Sequence, residues 1–510
     1  MEAAYGAPKE PGGKPPLAQG RWEREWRRAQ RLHPSGQYVF PKRGTGRRLV
    51  RLTQSLIAGI RSGDNPSEVL LLMLDLILRR DPRIKKAKKV RETIESRLDL
   101  WEQGEKRRET LLQEATKISR RAHSSSRRGG SESRSKREEL EKAAGLPEMR
   151  KFRNFIQAGE MRRGTRILTG REKGGVLDGE DTFTKRGQTY QVAETLKAKH
   201  PPEKTPQAAA LEAMPREGLP TLTPLLITEE DIAAVARRLQ GSAGPSGFDN
   251  TQLCTVVLSL GRESRELREE LANLATEMGR RVFEWDQVKA LMACRLVALD
   301  KCPGVRPIGI GEAIRRLLGK AVMKETREEL QEACGADQLY SGLMGGLEGG
   351  IHAVRELWET LTQEAGDNPE KVFGTLLIDA ENAFNAANRT AGLWNARILW
   401  PRASTFLFNC YRGDAELFLR GTHGTTTISS REGWMQGDPM SMAGYAITIL
   451  PLVRALRGSA SGQTESETQS EASGSSQAAG EKQIRMRESR QADRETQSES
   501  SENSQPDRES

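Results

Sequence analysis

Cysteine, histidine and aromatic residues are scarce in this chain of 510 residues, and it contains no long apolar run. The five cysteines are scattered without a Cys-x-x-Cys pair, and the five histidines do not cluster with them. This argues against zinc fingers, zinc knuckles and a disulfide framework. The longest apolar run, residues 69–78, contains Asp75 and is too short to cross a bilayer, and the N-terminus has no apolar signal core. We therefore expect a soluble protein of a reducing intracellular compartment, nucleus or cytoplasm, with no membrane partner.

The charge is abundant and unevenly distributed. The chain has 80 Lys and Arg against 70 Asp and Glu, a formal net charge of +10. Residues 1–170 hold 40 of the basic and 21 of the acidic residues, so the rest of the chain is mildly acidic. A basic N-terminal region favours a polyanionic partner, above all nucleic acid. The alternative is a solvated basic arm with no specific ligand.

Shifts in composition divide the chain into six segments. We expect disorder over 1–20, a basic helical region over 21–122, a linker over 123–139, a poorly defined connection over 140–227, an ordered region over 228–458 and a disordered Ser/Glu/Gln-rich tail over 459–510. Within the basic region, Leu52–Leu78 and Lys85–Ala122 are predicted to be helices, the second interrupted by Gly104.

The stretch 21–46 interleaves aromatic and basic residues. Trp22, Trp26, Tyr38 and Phe40 stand among arginines, a pattern that suits stacking on bases together with contacts to phosphates. The same residues would equally well pack a surface helix on its neighbour. The sequence leaves both interpretations open.

Local signals become clearer after residue 227. Thr228 and Asp231 form a capping box at the start of an amphipathic helix. Further helices are expected up to about residue 290, followed by short strands over 296–310. The run VFGTLLIDA (372–380) predicts a buried strand that ends on Asp379. AELFLRG and TTTISS, joined by Thr-His-Gly, predict a hairpin.

Asp379 is the first candidate for chemistry. A carboxylate at the end of a rigid buried strand is a suitable hard oxygen ligand for Mg²⁺ in phosphoryl transfer. Taken alone, the pattern is weak, because many strands of α/β proteins end in an Asp that caps the next helix.

The blocks around Asp379 give this residue its context. In order along the chain they are SAGPSGFD (242–249), LVALDK…GVRPIGIGEAIRRLLGKAV (296–322), QLYSGLMGGLEGGIHAVREL (338–357), LLIDAENAFN (376–385) and EGWMQGDPMSM (432–442). With these blocks the chain resembles the reverse transcriptases of non-LTR retrotransposons and related mobile elements, from about residue 242 to about residue 457. The resemblance implies an α+β fold, an incomplete right-hand polymerase unit of fingers and palm, preceded by the basic helical region.

The resemblance also implies roles for individual residues. Lys301 and Arg306, on the two arms of a predicted β turn, would contact the phosphates of the incoming dNTP. Phe384 would lie under the sugar and exclude a 2′-hydroxyl. Gln436 would position the template strand, and Gly437 would allow a close approach of the backbone. Each role has a simpler alternative. Lys301 and Arg306 could be ordinary surface charges, and Phe384 could only pack the core. The segment with Gln436 and Gly437 could be an ordinary junction between a loop and a helix.

The metal-binding motif of this family is incomplete in the sequence. The resemblance implies two Mg²⁺ ions held by Asp379 and by an Asp-Asp pair some tens of residues after QGDP. No Asp-Asp dipeptide occurs in the 510 residues, and Asn382 stands where many family members have an acid. We therefore expect the unit to be truncated before this motif and the chain as given to be inactive.

Three functions follow from these observations. The first is an RNA-directed DNA polymerase domain that binds an RNA template, a DNA primer and a dNTP without completing catalysis. The second is a non-catalytic nucleic-acid-binding protein derived from a mobile element, which would use residues 21–170. The third is a maturase of the group II intron type, in which the same unit serves RNA splicing.

Overall fold

A computed structural model describes residues 2–5, 19–122, 152–154, 156–157, 161, 175–301, 303–338, 346–366, 368 and 373–461. Helices dominate, and a small mixed sheet lies among them. The helices of the basic region are α1 Gln19–Gln30, α2 Arg43–Ser62, α3 Ser67–Leu78, α4 Ala87–Glu102 and α5 over residues 105–122. The later helices are α6 Val192–Ala198, α7 Glu229–Arg238, α8 Asn250–Leu258, α9 Arg262–Arg280, α10 Trp285–Met292, α11 Ala313–Glu325, α12 Arg327–Cys334, α13 Gly346–Ala365, α14 Ala383–Ala386, α15 Arg389–Leu399, α16 Pro401–Tyr411 and α17 Ser441–Ser461.

The strands form two sheets, which are together much smaller than the helical part. They are β1 Val176–Leu177, β2 Thr182–Lys185, β3 Gln188–Gln191, β4 Cys294–Asp300, β5 Val305–Gly311, β6 Ala415–Arg420 and β7 Thr425–Ser430. Strand β4 is central. Strand β5 pairs with one edge of β4 and is antiparallel to it. The other edge of β4 pairs with β6, which is parallel, at its start and with β1, which is antiparallel, at its end. Strand β7 extends the sheet beyond β6, and β2 with β3 forms a separate hairpin. The α+β class expected from the sequence is confirmed.

Glycine and proline set the helix boundaries in the basic region. The single helix predicted over Leu52–Leu78 is wrong, because α2 ends at Ser62 and α3 begins at Ser67. Gly63 follows α2 in the left-handed conformation (φ 92°), and Pro66 precedes α3. Proline lacks an N–H and fixes φ near the helical value, so it is favoured at the start of a helix and disfavoured in its interior. Gly104 (φ 95°) separates α4 from α5 in the same way.

Helix α3 is buried around its whole circumference. Helices α1, α2, α4 and α10 pack around it, which explains its continuous apolar sequence. The described residues up to Pro451 form one compact unit that contains both the basic helices and the sheet. Leu452 and the described residues after it belong to a second unit.

The aromatic residues of the basic region belong to this core. Trp26, Tyr38 and Phe40 are almost fully buried, and Trp22 is half-buried against the core. Trp26 meets Phe418 of β6 edge to face at 5.4 Å between ring centroids. Of the two interpretations that the sequence left open, the burial of Trp26, Tyr38 and Phe40 favours packing over stacking on bases.

Two capping boxes begin successive helices after the poorly predicted connection. Thr228 and Asp231 bond each other's backbone N–H groups at the start of α7, as the sequence predicted. Asp249, the last residue of the SAGPSGFD turn, does the same with Gln252 at the start of α8. Each box satisfies two N–H donors that a helix start leaves without partners.

The strand predicted over 372–380 is not formed. Residues 373–380 have no regular secondary structure, and Leu376, Leu377 and Ile378 expose 81%, 88% and 68% of their surface. A strand needs a neighbour to accept and donate its backbone hydrogen bonds, and no strand of the described residues pairs with this segment. The apolar run was recognised correctly, but it is an exposed extended loop.

The two segments predicted to be disordered lie mostly outside the described residues. Near the N-terminus, however, Glu2–Tyr5 forms a short helical turn with Tyr5 buried. The Tyr5 hydroxyl donates to the carbonyl of Leu393 at 2.6 Å, and its ring stacks on Phe408 at 4.2 Å. Residues 459–461 continue α17. The predicted linker 123–139 also lies outside the described residues. None of the described helices is long and apolar enough to span a membrane.

Candidate functional site

A cavity of about 890 Å³ gathers five of the six residues singled out by sequence. These are Lys301, Arg306, Asp379, Phe384 and Gln436, from three separate sequence blocks. The sixth, Gly437, follows Gln436 but is not in the cavity wall. The complete lining consists of Phe183, Lys185, Arg186, Tyr190, Thr195, Ala198, Lys199, Lys301, Pro303, Gly304, Val305, Arg306, Pro307, Asp379, Ala380, Glu381, Asn382, Ala383, Phe384 and Gln436.

The hairpin of β4 and β5 carries the two predicted cations. Arg306 pairs with Leu299 across the ladder, and the Lys301 N–H donates to the carbonyl of Gly304 at 3.0 Å to close the turn. Gly304 has a φ of 120°, a conformation that L side chains rarely adopt. The turn therefore holds Lys301 and Arg306 at one end of the hairpin, as the sequence predicted.

A second hairpin adds cations that the sequence analysis missed. Strands β2 and β3 are joined by Arg186 and Gly187, both with positive φ (52° and 79°), as a type I′ turn requires. This hairpin contributes Lys185 and Arg186 to the cavity, and α6 is followed directly by Lys199. The alternating TFTK and QTYQ around Arg-Gly were a local signal for this hairpin.

The cations of the cavity perturb one another. The pKa of Lys199 is lowered, mainly because burial removes its ammonium group from water. Glu381 opposes this effect, whereas Lys301, Lys185 and Arg306 strengthen it by repulsion. The five basic side chains of the cavity outnumber its two carboxylates, so its electrostatics favour a polyanionic ligand.

Asp379 lies on the exposed loop that precedes α14. The pKa of the Tyr445 hydroxyl in α17 is raised, mainly by burial and in addition by the negative charge of Asp379. Asn382, three residues later, adopts a left-handed conformation (φ 55°) and donates through its side chain to the carbonyl of Lys199 at 2.8 Å. Asn382 therefore shapes the turn, and it ties the acidic loop to the cationic wall.

Phe384 has one face packed and the other side towards the cavity. Its ring stacks on Tyr445 at 4.9 Å with an interplanar angle of 25°, and the side chain is half-buried. The Trp434 N–H donates to the carbonyl of Phe384 at 2.6 Å. This bond joins the turn that carries Phe384 to the loop that carries Gln436.

The Gln436–Gly437 loop lies directly on strand β5. The Gly309 N–H donates to the carbonyl of Gln436 at 2.8 Å. A Cβ on Gly309 would come within 2.0 Å of the Met435 sulfur, and a Cβ on Gly437 (φ 109°) would come within 2.7 Å of the Gly309 carbonyl oxygen. Both glycines are needed for close backbone approach. For Gly437 the backbone approached is β5 of this chain.

Arg389 fixes the start of the same loop and was not found from the sequence. Its guanidinium is fully buried, which lowers its pKa to about 10. It donates to the carbonyl oxygens of Tyr411, Gly413, Ser430, Glu432 and Gly433, and to the Ser430 hydroxyl. The Glu432 carboxylate in turn accepts from the backbone N–H groups of Arg389 and Lys204.

The acid of the QGDP motif has a structural role. Asp438 forms a buried ion pair with Arg315 of α11 at 2.8 Å. Its carboxylate also accepts from the backbone N–H of Met440 at 2.9 Å, just before α17 begins. Asp438 is therefore committed to holding the loop against α11 and offers no ligand to the cavity.

Only two carboxylates reach the cavity from the described residues, those of Asp379 and Glu381. In that part of the chain no three His, Cys, Asp or Glu side chains are grouped to hold a metal ion. One Mg²⁺ that arrives with a triphosphate needs one or two protein carboxylates, and this set fits it. A pair of ions needs more acids than the set supplies, so it does not fit.

Comparison with known proteins adds no relative. No protein-family model matches the chain, and no curated protein matches it significantly.

Proposed function

We propose that the cavity binds a nucleoside triphosphate at the end of a primer–template, in a reverse-transcriptase-like unit that has lost efficient catalysis. One observation carries the proposal: residues singled out from three distant sequence blocks line a single cavity of about 890 Å³. Unrelated surface residues have no reason to converge in this way. The volume lies within the range of small-ligand sites.

The cationic side of the cavity suits the triphosphate. Lys301 and Arg306 come from one hairpin, Lys185 and Arg186 from another, and Lys199 lies between them. Arginine forks and lysine ammonium groups are the side chains that recognise phosphate oxygens. Burial is the main cause of the lowered pKa of Lys199, and a bound triphosphate would relieve the smaller contribution from the neighbouring cations.

The opposite side suits the sugar and the template. Phe384 presents a ring fixed by Tyr445, which would exclude a 2′-hydroxyl by its bulk. A hydrogen bond from Gly309 of β5 fixes the backbone of Gln436. From this position its side-chain amide would contact a template base. RNA as the template and DNA as the primer follow from the resemblance alone.

The expected catalytic defect follows from the carboxylates. Asp379 and Glu381 suffice for one Mg²⁺ accompanying the nucleotide, which would neutralise phosphate charge. The two-ion clamp on the attacking and leaving oxygens lacks ligands among the described residues. We therefore expect binding of substrate with little or no primer extension.

Fluorescence anisotropy with the full chain and a labelled RNA–DNA primer–template tests this proposal. The variant Lys301→Ala/Arg306→Ala removes two cavity cations, and Arg262→Ala/Arg265→Ala removes two exposed cations of α9 as a matched control. We expect the cavity variant to bind about tenfold more weakly in the presence of Mg²⁺ and dNTP, with a shallower salt dependence, and the control to be close to wild type. Equal affinities of the two variants would remove the proposal. Primer extension in the same samples should stay at background.

The alternative of a non-catalytic nucleic-acid-binding protein acting through residues 21–170 remains the second candidate. The excess of basic residues there supports it. The burial of Trp26, Tyr38 and Phe40 removes the stacking contribution that the sequence offered. It predicts that Lys301→Ala/Arg306→Ala binds as tightly as wild type.

A further inference from the structure

A second cavity, of about 700 Å³, lies in the basic helical region and shares no residue with the candidate site. Its wall is formed by the segment around Tyr38, by the start of α2, by the residues after α3 and by the start of α4. Five basic side chains line it, and no acidic residue does so among the described residues. They are Lys42, Arg43, Arg80, Lys85 and Arg91.

Most of these cations have no anionic partner. Within the described residues, Lys42, Arg43, Arg80 and Lys85 form no ion pair, and all four are exposed. Arg91 alone approaches a carboxylate, that of Glu95, at 4.0 Å. Elsewhere in the basic region arginines are regularly paired, so a concentration of unpaired cations around one cavity favours an anionic ligand.

The two helix ends at the cavity add to the positive potential. Helix α2 starts at Arg43 and α4 starts at Ala87, and neither has a side-chain cap or an acid in its first turn. The unpaired N–H groups of a helix start carry a partial positive charge that an acid or a cap usually balances. At this cavity the flanking residues Lys42 and Lys86 are basic instead, although α7 and α8 of the same chain have complete capping boxes.

The floor of the cavity is apolar. The apolar lining residues that a ligand could touch are Ile84 and Val90, which are half-buried, and Val39, which exposes 87% of its surface; Ile94 is fully buried. An inorganic anion gains no binding energy from contact with apolar side chains. A cationic rim over an apolar floor matches a ligand that combines a flat hydrophobic ring with phosphate.

We propose that this second cavity binds a nucleoside phosphate, with the base on the apolar floor and the phosphate among the basic side chains at the two helix ends. The ligand is either a free nucleotide or a phosphorylated end of single-stranded nucleic acid, which present the same chemistry. The site needs no metal ion, because the protein itself supplies the positive charge. The proposal does not depend on the function proposed for the first cavity.

The experiment uses the full chain carrying Lys301→Ala/Arg306→Ala, in EDTA, so that binding in the first cavity is suppressed. Fluorescent ATP and a short 5′-phosphorylated, labelled single-stranded RNA are titrated separately and followed by anisotropy. The test variant adds Arg43→Gly/Lys85→Ala. Arg43 has a φ of 61°, so glycine there removes the charge and also relieves the backbone. Lys88→Ala/Lys89→Ala, two exposed cations of α4 outside the cavity wall, is the matched control.

Saturable binding of at least one probe, weakened about tenfold by Arg43→Gly/Lys85→Ala and less than about twofold by the control, would support the site. Binding of ATP alone identifies a free nucleotide, and binding of RNA alone identifies a chain end. Val39→Ser, at an exposed position, should weaken binding of whichever probe saturates, without changing the melting temperature. The site is refuted if neither probe saturates, if test and control variants bind alike, or if inorganic phosphate competes as well as unlabelled ATP.

Discussion

Replacing Arg389 with methionine is the most severe test of how the Gln436 loop is built. Methionine fills a similar length of buried space but donates no hydrogen bond. The substitution leaves five carbonyl oxygens, four of them buried and that of Gly413 partly buried, without the guanidinium that satisfies them. These belong to Tyr411, Gly413, Ser430, Glu432 and Gly433.

The size of the effect follows from that geometry. One buried polar group without a partner costs about 1–3 kcal/mol, but neighbouring groups relax together and their costs do not add. Five carbonyl groups lose the same partner here, so the total cost exceeds that of one group but stays below the sum of all five. We therefore expect Arg389→Met to lower the free energy of unfolding by about 3–5 kcal/mol. Arg389→Lys keeps a charge and fewer donors, so its loss should be smaller.

Urea denaturation followed by tryptophan fluorescence measures this loss, because Trp434 lies in the loop and both Trp434 and Trp400 are fully buried in the folded chain. Arg262→Met, on the exposed face of α9, is the control and should leave the urea midpoint unchanged. If Arg389→Met unfolds, Arg389→Lys still reports the midpoint shift. An unchanged midpoint for both Arg389 variants would refute the role assigned to this residue.

Three further changes probe the glycines, the buried acid and the N-terminal turn. Gly437→Ala should lower the free energy of unfolding by about 1–3 kcal/mol. The loss should be larger than for Gly304→Ala, because both glycines have positive φ but only at Gly437 would a Cβ meet another backbone atom. Equal urea midpoints for the two variants would contradict this. Burial raises the pKa of Glu312 from 4.5 to about 7. The stability that the protonated carboxyl contributes is therefore complete below pH 4.5 and is lost as the pH rises to about 7. The free energy of unfolding should fall by about 3 kcal/mol over this interval. Glu312→Gln should therefore flatten the dependence of melting temperature on pH in this interval, and an unaltered slope would show that the carboxyl is ionised throughout. Tyr5→Phe deletes a buried hydroxyl that donates to the carbonyl of Leu393, and it should lower the free energy of unfolding, measured with urea, by about 1 kcal/mol. No loss would mean that the turn over Glu2–Tyr5 does not pack on the protein in solution.

Local features were readable from the sequence wherever a short segment determines its own structure. The Thr228–Asp231 capping box needs four residues, and the β6–β7 hairpin needs two alternating segments around a turn. The turn of β4 and β5, with Lys301 and Arg306, was predicted for the same reason. In each case the hydrogen-bond partners lie within a few residues of one another.

Features that depend on distant partners were missed. Nothing close to Lys199 in sequence shows that it lies beside Lys301 and Arg306, a hundred residues further on. Arg389 resembles any helix arginine until its contacts with the 411–413 and 430–433 segments are known. The burial of Trp26 likewise depends on Phe418 of β6. Such pairings are products of the folded chain and leave no periodic trace in either partner.

The misplaced strand and the shortage of carboxylates have one physical explanation. Two Mg²⁺ ions in a shared clamp lie about 3.5–4 Å apart, so any acids that complete the site must come from an element lying beside Asp379. That element would also give residues 373–380 the hydrogen-bond partner that a strand requires and would cover Leu376 and Leu377. Among the described residues no such element is present, and the same segment is both unpaired and highly exposed. Under the proposed function, the lack of such a neighbour among the described residues would explain the irregular backbone and the exposed apolar side chains of 373–380 together with the small number of carboxylates in the cavity.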